Sequence, residues 1–121
     1  MATPTPTETT VISDLKQKAK DLLANEHPGI QSAVLYKRAG NKTHLFAIPE
    51  GEAFPTHDTP RHATIQVVEG WAKIELGETE IEAGPNAWIY MPPRLPHRLE
   101  AITPFAFVLH VEPADDADST S

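Results

Sequence analysis

A chain of 121 residues, 40% apolar and 22% charged, has room for one packed core and not for two. It contains no cysteine, which excludes disulfides and thiolate ligands, so any metal must take histidine, carboxylate or water. The formal charge of −7 lies largely at the ends: setting aside Glu8, Glu112, Asp115, Asp116 and Asp118 from 17 acidic residues leaves 12 against 10 basic ones. Lysine and arginine are not clustered among aromatics, which argues against a nucleic-acid partner.

Residues 1–12 begin with a Thr/Pro-rich lead that has little to bury and is expected to be disordered. The lead lacks the basic-then-apolar pattern of a signal, and no apolar run reaches membrane-spanning length. The expected location is therefore the cytoplasm, with no membrane contact.

A helix is expected over 13–27, stopping near Asn25 because Pro28 and Gly29 cannot continue it. Ser13 can cap its start, Asp14 suits the first turn, and Leu15, Ala19, Leu22 and Leu23 share one face. Lys16, Lys18 and Lys20 fall mainly on the other side. Such a helix packs against the domain that follows, or serves it as a lid or edge clamp.

The period then switches from helical to two, and eight or nine short strands are expected. They run over 31–37, 42–48, 52–57, 62–69, 71–76, 79–82, 87–91, 97–101 and 105–111. Turn residues separate them, among them Ala39-Gly40-Asn41, Asp58-Thr59-Pro60, Gly70, Gly77-Glu78, Gly84-Pro85-Asn86 and Thr103-Pro104. Short strands at near-even spacing with hairpin-length links mean an all-β sandwich or barrel over 30–112. The acidic remainder, 113–121, is expected to be a disordered tail.

Several features of this β region resemble the small single-domain cupins. They are Gly51 six residues before His57, Val67-Val68-Glu69-Gly70, Ala83-Gly84, and Met91-Pro92-Pro93-Arg94-Leu95-Pro96-His97 leading into Arg98-Leu99. The resemblance implies a jelly-roll barrel (a double-stranded β-helix), here with one N-terminal α-helix. It also implies common dimerisation and a divalent metal held inside by three histidines and a glutamate. His57 and His97 match two of those ligand positions. Thr59 and Ala63 stand at the other histidine and glutamate positions, while Arg94 and Ala101 replace the second motif's later glycine and its asparagine.

The resemblance matches His57 and His97 as metal ligands, and His62, one place before the glutamate position, is the candidate third. Strict alternation puts His62 on the face opposite Ala63. A bulge between His57 and His62, or a place for His62 in the turn, is needed to bring it inside. His44 and His110 are reserve ligands if they face inward, and His27 at the helix exit reads as a surface residue. An all-nitrogen set of this kind suits Fe, Mn, Ni, Cu or Zn. Trp88 and Tyr90 share one strand face, as do Phe105 and Phe107, which suits core, a dimer face or a substrate wall. Gln66 faces the same side as His62. No phosphate-cradling glycine loop or nucleophile elbow is present, and Glu50, Glu52, Glu69 and Glu100 are scattered around turns.

Two functions follow from the resemblance. One is a metal-dependent enzyme acting on a small organic molecule, a dioxygenase first, an isomerase or lyase next. The other is a non-catalytic binding or sensing module whose metal site is degenerate, a reading favoured by Thr59 and Ala63. A homodimer and a small-molecule ligand are the expected partners.

Overall fold

The computed structural model describes residues 9–24 and 29–114. His27, most of the lead and the tail from residue 115 onward lie outside the described residues. The sequence periodicity is realised as one helix, α1 (Leu15–Leu23), followed by nine strands. These are β1 (Gln31–Arg38), β2 (Asn41–Ile48), β3 (Ala53–His57), β4 (Arg61–Glu69), β5 (Ala72–Leu76), β6 (Thr79–Ala83), β7 (Trp88–Met91), β8 (His97–Ala101) and β9 (Phe105–Ala114).

The strands form two sheets, five-stranded in the order β1-β2-β9-β4-β7 and four-stranded in the order β3-β8-β5-β6. Every paired neighbour is antiparallel. The chain changes sheet repeatedly, as between β4 and β5 and between β8 and β9, which is the jelly-roll arrangement. Alternation then fills the space between the sheets. On β4, Ala63, Ile65 and Val67 are buried while Gln66 is exposed; on β9, Phe105 and Phe107 face in and His110 is part-buried on the other side. The barrel core combines these residues with Ile48, Ile74, Met91 and Leu99, and no polar or charged side chain is buried among the described residues.

Helix α1 starts one residue later than expected. Asp14, not Ser13, is its cap, and the carboxylate accepts from the Gln17 amide at 2.9 Å. A carboxylate placed there satisfies an orphan N–H and also faces the positive end of the helix. Ala19 is fully buried with Leu45 and Ala106, and Leu15, Leu22 and Leu23 pack around them with Val68 and Val108. Leu45, Ala106 and Val108 alternate with the inward Phe46, Phe105 and Phe107, so α1 covers the outer face of the five-stranded sheet. It is a packing helix and not a lid over the barrel.

Trp88 and Tyr90 also face outward, 63% and 45% exposed, paired across to Gln66 and Thr64. Phe105 and Phe107 are core. Among the described residues, no helix is long and apolar enough to cross a membrane.

Candidate functional site

Two irregularities in register decide which histidines reach the barrel interior. Strand β3 pairs Phe54 with Leu99 and His57 with His97, so three steps on β3 oppose two on β8. The extra residue is a bulge at Pro55-Thr56. Proline lacks the N–H that a regular ladder needs and is at home at such a place. Without the bulge His57 would point away from the face that carries Phe54; with it, His57 joins His97 on the inner side.

The second irregularity has the opposite effect on His62. Between β4 and β9 the partners run from Arg61↔Ala114 to Ala63↔Val111, which places the extra residue on β9. Strand β4 therefore keeps its alternation through this point, with Ala63 inward and His62 on the other face. There the His62 ring stacks on Tyr90, with Nδ1 and the hydroxyl oxygen 2.6 Å apart. Bringing His62 inward needs a bulge between His57 and His62, but the two bulges fall elsewhere, one before His57 in β3 and one in β9. The structure thus brings His57 and His97 together and sets His62 elsewhere.

The reserve histidines also separate by face. His44 shares the inner side of β2 with Phe46 and packs edge-on against it, centroids 5.3 Å apart. His110 faces outward, its Nδ1 2.7 Å from the Thr43 hydroxyl.

The His57 and His97 side chains meet edge to face, with ring centroids 4.2 Å apart and the two Nε2 atoms 3.2 Å apart. Each Nδ1 faces a backbone carbonyl two residues back, Pro55 for His57 at 3.2 Å and Leu95 for His97 at 2.9 Å. A carbonyl oxygen only accepts, so the tautomer with its hydrogen on Nδ1 satisfies these contacts, and in that tautomer each neutral ring presents its Nε2 lone pair. The two loops behind the pair are tied together. The Arg94 amide donates to the Thr59 carbonyl at 2.7 Å, and the Arg94 guanidinium lies 3.7 Å from Asp58. Both charged side chains are well exposed, so the ion pair contributes little and the backbone bond does the holding. Arg94 takes a left-handed φ of 68°, the conformation for which the family pattern places glycine here.

The two histidines line a partly open cavity of about 190 Å³. Its wall is mostly apolar, with Phe46, Ile65 and Phe107 from the five-stranded sheet and Phe54, Ile74 and Leu99 from the four-stranded one, and Arg98 also lines it. Phe46 stacks on Phe107 at 5.4 Å, and Phe54 meets Phe46 edge-on at 5.2 Å. Phe46 and Phe54, which line the cavity, were not singled out from the sequence. Their spacing to Phe107 across the fold has no local signal, although each sits at an inward position of its strand.

Burial is the main reason that the His97 pKa lies below the usual 6.5; nearby His57 acts the same way, while the Leu95 carbonyl and Asp58 oppose. Burial also lowers His44, with Lys42 and Lys37 adding to it. The unfolded chain takes up these protons near pH 6.5 and the folded chain resists, so stability declines as pH falls below about 6.5 toward the depressed folded values. The urea midpoint should therefore drop across that window, and His97→Gln should flatten part of the drop; equal slopes in both proteins would contradict the burial of His97.

The fit of a resident metal can be tested on these atoms. Two imidazoles bound to one ion, each about 2.0–2.1 Å away, hold their nitrogens about 3 Å apart, as this pair does. A protein-held catalytic ion wants a third protein ligand. The family's remaining ligand positions hold Thr59 and Ala63, and His62 is engaged with Tyr90 on the other face. Among the described residues, no group of three or more His, Asp or Glu side chains converges. The donor set is one ligand short of a resident metal, and no chemistry is derived through one.

Comparison with known proteins supports the fold on independent grounds. The chain is similar to a conserved protein of unknown function from Streptococcus pyogenes, at 23% identity and a TM-score of 0.76 over 96% of this chain and 98% of that one. It is also similar to a cupin superfamily protein from Desulfitobacterium hafniense, at 17% identity and a TM-score of 0.72 over 91% and 94%. A third similarity is to the DMSP lyase DddQ from Ruegeria pomeroyi, at 16% identity and a TM-score of 0.65 over 74% of this chain and 49% of that one. No curated protein matches the chain in sequence. The family model described as a cupin domain matches residues 44–111, more than half of the chain, including both histidines of the pair. The chain belongs to the cupin domain family.

Proposed function

We propose that the barrel binds a small organic molecule without transforming it, holding an apolar body among the phenylalanines and a polar end at His57 and His97. One observation carries this reading: a cavity with a mostly apolar wall includes two imidazoles, and the family's other two ligand positions hold Thr59 and Ala63. Apolar walls with a few placed polar groups are what small-molecule sites use to combine affinity with orientation. Fold alone does not decide this, because one fold hosts many chemistries.

A second reading, a metal-dependent enzyme of dioxygenase type first and isomerase or lyase type next, draws on the convergence of the two Nε2 atoms at 3.2 Å. Metal analysis separates the two readings. Protein purified without a histidine tag, alongside His57→Ala and His97→Ala variants, is expected to carry well under one equivalent of transition metal in all three. Near-stoichiometric metal that falls in both variants would support the enzyme reading and count against the first.

A further inference from the structure

We propose that the ligand is a compact single-ring compound bearing a neutral hydroxyl, a phenol in its simplest form, with the hydroxyl donating to the paired Nε2 atoms of His57 and His97. The inference rests on the binding reading above and names the class of ligand that this site takes.

The size of the body comes from the cavity. An apolar cavity of about 150 Å³ holds a benzene ring, and this one measures about 190 Å³. That leaves room for one ring and a small substituent. The shape of the wall agrees: Phe46 and Phe107 lie nearly parallel while Phe54 stands at 88° to Phe46, so stacked and edge contacts are both offered to a planar guest.

The polar end follows from hydrogen-bond bookkeeping. Both Nδ1 atoms face carbonyl oxygens, at 2.9 and 3.2 Å, so in the tautomer that satisfies these contacts both hydrogens lie on the far side of the rings from the meeting point. Two neutral rings so oriented turn two lone pairs toward each other at 3.2 Å, and neither can satisfy the other. A donor from outside resolves the conflict by placing its hydrogen between or beside the two nitrogens. A carboxylate would add a third acceptor to two existing ones, and the Arg98 guanidinium that also lines the cavity is already paired with Glu100 at 3.1 Å. An unsubstituted ring would fill the cavity and leave the lone pairs as they were.

The probes are 4-fluorophenol, fluorobenzene and 4-fluorobenzoate, read by fluorine NMR titration of the full chain at pH 7.5. The phenol is expected to bind about tenfold more tightly than fluorobenzene, the gain of about one net hydrogen bond. The benzoate is expected to bind more weakly than either. His57→Ala, at an exposed position, and His97→Ala are each expected to erase the phenol's advantage while fluorobenzene still binds. Leu109→Trp, at the half-buried cavity rim, is expected to weaken both ring probes and serves where a histidine variant fails to fold. Equal affinity for phenol and fluorobenzene, or tighter binding of the benzoate, would overturn the hydroxyl class and leave the binding reading standing. If none of the three probes binds, both fall.

Discussion

Phe107→Ala is expected to lower stability by about 3–5 kcal/mol, a large share of the roughly 5–15 kcal/mol that holds a domain folded. Phe107 is 2% exposed and sits on β9, which pairs with β2 on one side and β4 on the other. Its ring stacks on Phe46 at 5.4 Å, lies 5.6 Å from Phe105, and meets Phe54 edge-on at 6.3 Å. Alanine would remove all three ring contacts at once and open space beside a cavity that already exists, so the wall has little to relax against. Chemical denaturation measures the effect; a loss under about 1 kcal/mol would mean that the aromatic wall is not packed as described. Phe107→Leu, which keeps most of the volume, is expected to cost less than half as much.

The second large effect lies where the chain passes between the sheets. Gly70 ends β4 with φ +79°, and a Cβ there would stand 1.9 Å from the Pro104 carbonyl oxygen and 2.8 Å from the Thr103 hydroxyl. The clash is with backbone, and that backbone cannot easily retreat. Trp71 donates its amide to Thr103 Oγ1 at 3.0 Å, and its carbonyl accepts from the amides of Ile102 at 2.9 Å and Thr103 at 3.2 Å. These bonds join the β4–β5 link to the β8–β9 link, the two crossings described above. Gly70→Ala is therefore expected to cost about 3 kcal/mol, through a disfavoured φ and a displaced turn together. That corresponds to a fall in Tm of roughly 10 °C. Gly77→Ala is the control: its φ of +61° is also left-handed, but the nearest atom to the added Cβ is a Leu95 methyl at 3.4 Å. A Gly70 variant that melts no lower than the Gly77 variant would show that the crossing has slack.

Much of the fold could be read directly from residue order. Alternation of apolar residues and the Gly, Pro and Asn punctuation placed all nine strands within two residues of their observed starts and three of their ends, because period and turn chemistry are local properties. The helix was visible for the same reason, yet its cap was not. Ser13 and Asp14 can both cap, and the choice fell to the residue whose carboxylate lies three positions before the Gln17 amide. The candidate site was legible only in part. His57 and His97 were marked by family spacing, but Phe46, Phe54 and Phe107 became a wall only when β2, β3 and β9 were laid against one another.

What the sequence determined by itself is the set of strands, their turns, the apolar side of each, and the absence of thiol chemistry. Which histidines face one another was decided by tertiary structure. A side chain's face depends on counting residues along its own strand, and a single bulge reverses the count. The extra residue at Pro55-Thr56 turned His57 inward, while the compensating one in β9 left β4 in step and kept His62 with Tyr90. Where a bulge falls is set by the register that two paired strands must share, and that register depends on partners about 40 residues away.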